Sequence, residues 1–337
     1  MGTDCAVNKK QGSLENISNM DNKTTEWHDF SWDYRAARVL QIANEIDIFT
    51  TLSDDEMSLK QLARKCHSKT DMTEKLLIAC AAMGLLEKNG SRYKNTELSK
   101  TYLVRGQKLY QGDIIAHSAA TWNFWNNLKD EIRIETTPKD DVKNEHRNFI
   151  MGMHNIAVTG RADVFIENIN LSKRKKLLDV GGGPGAYSIA ACRRFPNLTA
   201  VVFDLPETIA IAKEVIAAEG MQDRITTLAG SWETDTFGEG NDVVLLSNIL
   251  HGPGSKAEMK LKKAYDSMES GGLLLVQDFL LNDEKIGPLI PALFNMMVGA
   301  YSCSELLCII QEAGFEHAKV VTGSQEIGFT WITTEKP

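Results

Sequence analysis

Five short apolar runs, separated by helical stretches, most constrain what this chain can fold into. They are "KLLDV" from Lys176, "TAVVFD" from Thr199, "ITTLA" from Ile225, "DVVLLS" from Asp242 and "GLLLVQDF" from Gly272. Each is apolar almost throughout, so both faces of each strand are expected to be covered. Helical patterns fill 185–195, 206–219 and 255–269 between them. This alternation predicts an α/β unit: a parallel sheet between layers of helix. The terminal "AKVVTGSQEIGFTWITT" splits into two β-rich runs and predicts a closing antiparallel hairpin. In such sheets ligands sit at the carboxyl ends of the strands, near the switch point. The residues just after each strand are therefore the candidates for chemistry.

The first strand runs into "LLDVGGGPGAYS". Gly181, Gly183 and Ala186 fit the G-x-G-x-x-G/A turn of dinucleotide-type folds. That turn can hold a nicotinamide dinucleotide, a flavin or S-adenosylmethionine (SAM), or simply pack a helix on a strand. Asp179 stands two residues before Gly181. A pyrophosphate there would meet a carboxylate, which opposes the attraction of the helix N-terminus. SAM carries a sulfonium and an ammonium and no phosphate, so a nearby acid favours it. Asp204 ends the second strand and can accept both ribose hydroxyls, a role common to SAM and NAD. A structural part for Asp179, as a turn former or helix-dipole partner, stays open.

The front of the chain has a different period. "YRAARVLQIANEIDIFTTL" predicts one amphipathic helix, "SLKQLARKC" a second with Ser58 as its cap, and "TDMTEKLLIACAAMGLLEK" a third. "LLEKNGSRYKNT" then predicts a hairpin turning on Asn89-Gly90. Three helices and a hairpin predict a winged-helix arrangement, which invites a DNA-binding reading. The third helix argues otherwise. Its Lys75 is offset by Glu74, and Leu76 to Cys80 are apolar. Phosphate binding needs several basic groups. The apolar surface is better read as buried against a second subunit, which makes the chain a homodimer.

Charge and cysteine usage narrow the partners. With 37 Lys and Arg against 45 Asp and Glu, the net charge of -8 excludes nucleic acid as the expected partner. No run reaches about 18 apolar residues, so no membrane span is expected. The six cysteines form no C-x-x-C pair and are read as free thiols of a reducing, cytoplasmic compartment, with no metal site. The expected organisation is a disordered tail over 1–25, a winged-helix-like dimerisation domain over 26–110, a helical linker over 111–170 and a SAM-binding domain over 171–337. The linker carries Trp122, Phe124 and Trp125, and then "NFIMGMHNIAV"; it joins two domains, where small-molecule pockets often form.

Taken together, these motifs resemble the SAM-dependent small-molecule O-methyltransferases of the acetylserotonin and plant phenolic type. The resemblance spans about residues 30 to 335. It implies a winged-helix dimerisation domain followed by a Rossmann-like class I catalytic domain. "LLDVGGGPG" is similar to the family's glycine loop, and "VVFDLPETI" to its ribose-binding stretch, which assigns Asp204 and Leu205 to the cofactor. "NILHG" resembles the segment with the catalytic histidine, here His251. "FIMGM" resembles the substrate-facing helix through Phe149 and Met153; Trp122, Phe294 and Met297 complete the implied acceptor pocket.

The sequence also departs from that pattern. The adenine stretch reads Gly230-Ser231-Trp232, so a carboxylate is missing and Trp232 is expected to stack on adenine. Ser247 stands where a basic residue is usual, and Gly252-Pro253 follow the histidine in place of Asp-Trp. Asp278 matches one flanking carboxylate, as Asp for Glu; the second falls near Ala300 and Tyr301 and is absent. The expected activity is methyl transfer from SAM to a hydroxyl of a small molecule, with His251 as base and Asp278 orienting it. If the acceptor is sulfur or nitrogen, no strong base is needed and His251 only positions substrate. A ligand-sensing winged-helix regulator and a nicotinamide oxidoreductase are the readings from other classes.

Overall fold

A computed structural model describes residues 31–132, 141–324 and 329–337. The expected tail over 1–25, Cys5 and the tip of the C-terminal hairpin lie outside the described residues. Cys66, Cys80, Cys192 and Cys308 are free thiols. Among the described residues no helix is long and apolar enough to cross a membrane.

The front of the chain folds as α1 (Tyr34–Glu45), α2 (Ile48–Leu52), β1 (Met57–Ser58), α3 (Leu59–Lys65), α4 (Thr70–Ala82), β2 (Leu86–Asn89), β3 (Arg92–Asn95) and α5 (Glu97–Tyr102). The strands form a small antiparallel sheet in the order β1-β3-β2. Ser58 caps α3 as expected, in a capping box with Gln61. The single helix expected over 34–52 is two. Asp47 adopts a left-handed conformation, φ +56°, and breaks it there. Hydrophobic periodicity does not register such a break, because the apolar face resumes after it. The third helix also stops early: Gly84, at φ +70°, turns the chain out of α4, and "LLEK" enters the hairpin.

The linker forms α6 (Gly112–Ala120), α7 (Trp122–Ile132) and α8 (Asp141–Ile156), then a π-type turn over Ala157–Arg161 and α9 (Ala162–Asn168). The remainder alternates: β4 (Lys176–Val180), α10 (Ala186–Arg194), β5 (Thr199–Asp204), α11 (Pro206–Ala218), β6 (Ile225–Ala229), β7 (Asn241–Ser247), α12 (Ala257–Ser267), β8 (Met268–Asp278), α13 (Leu289–Val298), α14 (Cys303–Glu312), β9 (Glu316–Ser324) and β10 (Phe329–Glu335). The sheet runs β6-β5-β4-β7-β8-β10-β9. Its first five strands are parallel; β10 pairs antiparallel with both β8 and β9, so the last strand in sequence lies inside the one before it.

The continuous apolar runs have a simple consequence. Successive side chains alternate faces, and both faces are covered. Leu177, Val243, Leu245 and Leu275 enter one core with Ile189, Ile209 and Trp331. Leu178, Val180, Val244, Leu246, Leu274 and Val276 enter the other with Leu250, Leu261 and Leu306. Each buried Val or Leu contributes about 1.5–3 kcal/mol. The chain reverses sheet order between β4 and β7, which leaves the carboxyl ends of β4, β5, β7 and β8 around one crevice.

The apolar surface of α4 was assigned to a partner subunit. Instead it packs on α13 of the same chain, with Ile78 clustered against Phe279, Leu281, Ala292 and Ala300. Helix α13 is apolar on nearly every side, so it needs cover on two faces. The contact joins the front domain to the crevice, and α4 is not free to serve as a recognition helix.

Candidate active site

Strand β4 delivers Asp179 to the crevice floor, fully buried. Its Oδ2 accepts a hydrogen bond from Ser188 Oγ of α10 at 2.7 Å, while its buried Oδ1 has no partner. Burial pushes its pKa up to about 7, and the neighbouring Asp204 carboxylate adds to the rise. Asp204, at the end of β5, accepts from the Gly183 amide at 2.8 Å and from the Leu205 amide at 2.7 Å. Burial raises its pKa as well; these two amides and the Thr208 hydroxyl oppose the rise. The Thr208 hydroxyl is 3.2 Å from His146 Nε2 of α8.

Gly183 has φ +55°, and no atom lies within 4 Å of where its Cβ would be. The loop therefore shows an open, side-chain-free face between two acids. This fits SAM. The orphaned Asp179 Oδ1 suits a cationic group, and each Asp204 oxygen keeps a lone pair for a hydroxyl after binding its amide. Gly230 donates its amide to the Asp204 carbonyl at 3.0 Å, closing the crevice beside β6. The Ser231 amide donates to Asp235 Oδ2 at 2.8 Å. Trp232 is less accessible than expected: Lys260 Nζ stands 4.3 Å from its ring centroid, and its rim is 3.3 Å from the Cβ position of Gly181. Lys260 also donates to the Ile249 carbonyl at 2.7 Å, and burial pulls its pKa down to about 8. Ser247 donates to Gln277 Oε1 at 2.8 Å, an oxygen that Asn248 Nδ2 also reaches at 2.8 Å.

Strands β7 and β8 are parallel neighbours, with Ser247 opposite Gln277. The residues that follow them therefore meet. His251 Nδ1 lies 2.9 Å from Asp278 Oδ1. The carboxylate is buried and also accepts from the Leu250 amide at 3.0 Å and the Phe279 amide at 2.9 Å. Two backbone donors and the imidazole thus hold it in one orientation. The His251 ring stacks on Phe279 at 4.6 Å and 14°, and its side chain is 23% exposed. A carboxylate is acceptor-only, so the tautomer that suits this contact carries its hydrogen on Nδ1 and leaves Nε2 a lone pair.

Gly252, where a larger residue is usual, has a local reason. A Cβ there would stand 2.8 Å from the Ala300 backbone nitrogen. The loop after α13 passes against it, and the Tyr301 amide donates to the His251 carbonyl at 2.8 Å. Backbone thus occupies the place where the second carboxylate was sought.

The expected acceptor residues divide. Phe294 meets Phe279 at 4.9 Å and so joins the His251 wall. Trp122 lies by the front domain, 6.4 Å from the Tyr34 ring and under Arg38. Phe149 is 61% exposed, Met297 63% and Met153 39%, and none is joined to His251 by a ring contact. Phe279 and Ser188 went unnoticed in the sequence. Phe279 follows directly on Asp278, and Ser188 stands one helical turn past the glycine loop; these spacings were the available signals.

Known proteins bear on this geometry. The O-methyltransferase domain family matches residues 132–316, and the O-methyltransferase dimerisation domain family matches 29–105. The chain is 34% identical over 301 residues to a 3-hydroxy-5-methyl-1-naphthoate 3-O-methyltransferase of Streptomyces sahachiroi, covering 84% of this chain and 87% of that one. It is 29% identical to the acetylserotonin O-methyltransferase of Bos taurus, covering 80% and 85%. An O-methyltransferase family 2 protein of Planctomyces limnophilus, solved with apigenin, superposes with a TM-score of 0.79 at 26% identity, over 93% of this chain and 96% of that one. The helical front domain carries the dimerisation match, and strands β4 to β8 with their crevice fall within the O-methyltransferase match. The chain belongs to the SAM-dependent O-methyltransferases.

Proposed function

We propose that this enzyme methylates a hydroxyl group on an aromatic small molecule, with His251 as general base and Asp278 as the residue that orients it. The observation that carries the proposal is the 2.9 Å contact of His251 Nδ1 with a buried, amide-pinned Asp278. It leaves Nε2 as the acceptor for a hydroxyl proton, and proton removal of this kind is worth about 10²–10⁴-fold. Asp179, Gly181, Gly183, Asp204 and Leu205 hold the cofactor, with Gly230, Ser231, Trp232 and Ser247 around it. When bound, SAM supplies the electrophilic methyl group. The chain's own work is alignment and proton handling: Phe294, half-buried beside the Phe279 and His251 rings, borders the acceptor, and the imidazole takes the proton from its hydroxyl. The hydroxynaphthoate and acetylserotonin enzymes named above, and the apigenin-bound neighbour, support a hydroxylated aromatic as acceptor.

One observation favours a second reading. Backbone from 299–301, rather than a second carboxylate, flanks His251. A singly supported histidine suits an S- or N-acceptor, where it only positions substrate. Matched naphthol, naphthalenethiol and naphthylamine offered with labelled SAM separate the two. The expected product is the methyl ether, and label only on sulfur or nitrogen refutes the oxygen assignment.

The winged-helix-like front domain would act as a dimerisation module, and the second copy would sit on the apolar side of α6 and α7. Ile114, Phe124 and Trp125 are all more than half exposed there, a patch that a monomer seldom leaves open. The protein should sediment as a dimer at micromolar concentration, and the double variant Phe124→Asp, Trp125→Asp as a monomer. A wild-type monomer, or a dimer indifferent to these changes, contradicts the assignment.

A further inference from the structure

Lys260 stands where an apolar side chain is expected. It lies on the buried face of α12 with Ala257, Leu261 and Ala264, and only 4% of it is exposed. Among the described residues its ammonium forms no ion pair. It has two partners instead: the Ile249 carbonyl at 2.7 Å and the Trp232 ring, whose centroid is 4.3 Å away. The Asp278 and Glu233 carboxylates favour the charge from further off, and Lys256 opposes it. A buried ammonium costs stability unless it is well answered, and a methionine of nearly the same length would fill this place without that cost. The charge therefore calls for a reason beyond packing.

The two partners supply one. The Ile249 carbonyl and the Leu250 amide belong to a single planar peptide unit. Lys260 Nζ holds the oxygen end of that unit, and Asp278 Oδ2 accepts from its N–H end at 3.0 Å. Asp278 Oδ1 in turn meets His251 Nδ1 at 2.9 Å. Ammonium, peptide, carboxylate and imidazole thus form one unbroken chain, with no contact longer than 3.0 Å. A cation at the carbonyl polarises the peptide and strengthens its N–H as a donor. Trp232, the other partner, closes on the glycine loop: its rim lies 3.3 Å, and Ile249 Cγ2 3.0 Å, from the Cβ position of Gly181. One side chain therefore touches both the loop that carries His251 and a wall of the cofactor crevice. We propose that Lys260 is a positioning residue for methyl transfer, fixing His251 relative to the cofactor through the 249–250 peptide and Asp278. This rests on the reading of His251 as the base.

Lys260→Met keeps the apolar stem and removes the charge. In the full-length protein, assayed with naphthol and labelled SAM, it should lower kcat about tenfold or more, with the acceptor KM and the SAM Kd each within about threefold. In a His251→Ala background the same change should cost less than about twofold, because the group it acts through is gone. Lys260→Arg keeps a cation and should recover part of the rate. A readout without turnover stands beside these. With isotope-labelled histidine, the ring resonance identified by its loss in His251→Ala should shift in Lys260→Met, and the other histidine rings should hold. An unmoved His251 ring overturns the proposal, and so does an unchanged kcat. Equal losses in both backgrounds also overturn it, because they mark a packing role. Should Lys260→Met not fold, Lys260→Gln, neutral but still a donor, takes its place. A large loss in His251→Ala with none in Lys260→Met retires Lys260 alone. A wild type that turns over no hydroxyl acceptor retires the base reading, and the ring resonance then decides whether Lys260 holds His251 in place.

Discussion

Replacing His251 by alanine should lower kcat by about 10²–10⁴ at pH 7 for a hydroxyl acceptor, with SAM affinity unchanged. In the proposed site His251 serves the acceptor, while the cofactor is held by the ends of β4 and β5. Alkali should partly rescue the variant, because the substrate hydroxyl then ionises without help. Asp278→Asn should resemble His251→Ala rather than the wild type. An amide placed 2.9 Å from Nδ1 no longer dictates which nitrogen carries the hydrogen. Of the Leu250 and Phe279 amides, one would lose its acceptor and the other the charge assistance of its bond. A loss below tenfold in His251→Ala would assign the histidine to positioning. A large loss that travels with weakened SAM binding would assign it to the loop's structure.

The pairing of His251 with Asp278 was legible in the sequence because the resemblance pointed to both residues and the order of the strands agrees with it. Both residues come just after runs that read as neighbouring parallel strands, and such strands end at the same edge. The sheet was legible for a related reason: strands apolar on both faces admit few other arrangements. What stayed hidden depends on docking between distant parts. The packing of α4 on α13 is such a contact, and nothing in either helix alone names the other as its partner. Trp232 was read as an adenine platform from its place after Gly230-Ser231. Lys260, on a helix more than twenty residues later, lies over its ring instead. The exposure of Phe149 and Met297 has the same origin, since an apolar residue at helical spacing does not say which side of its helix the rest of the chain will cover.

Asp179→Asn should stabilise the cofactor-free protein at pH 8 and weaken its hold on SAM. An ordinary carboxyl of this kind ionises near 3.8 in the unfolded chain; burial moves Asp179 to about 7 in the fold. Between those values the folded chain keeps a proton that the unfolded chain has released. Stability from this group therefore falls as pH rises from about 4 to 7, and the full penalty stands above 7. At pH 8 the penalty amounts to about 4 kcal/mol at most, from roughly three pKa units at 1.36 kcal/mol each. Asparagine is neutral at every pH in the window, and its carbonyl oxygen can still accept from Ser188 Oγ. The variant should thus melt above the wild type at pH 8 by several degrees, and the gap should close by pH 4. SAM should bind the variant more weakly at pH 8, because its cationic groups gain from an ionised neighbour. The wild-type affinity should rise with pH across neutrality, and that of the variant should not. Melting curves for both proteins from pH 4 to pH 9, with and without SAM, check each part. A variant less stable than the wild type at pH 8 by as much as at pH 4 would mean that the carboxylate is satisfied in the fold, and that its unpartnered Oδ1 is not held for the cofactor.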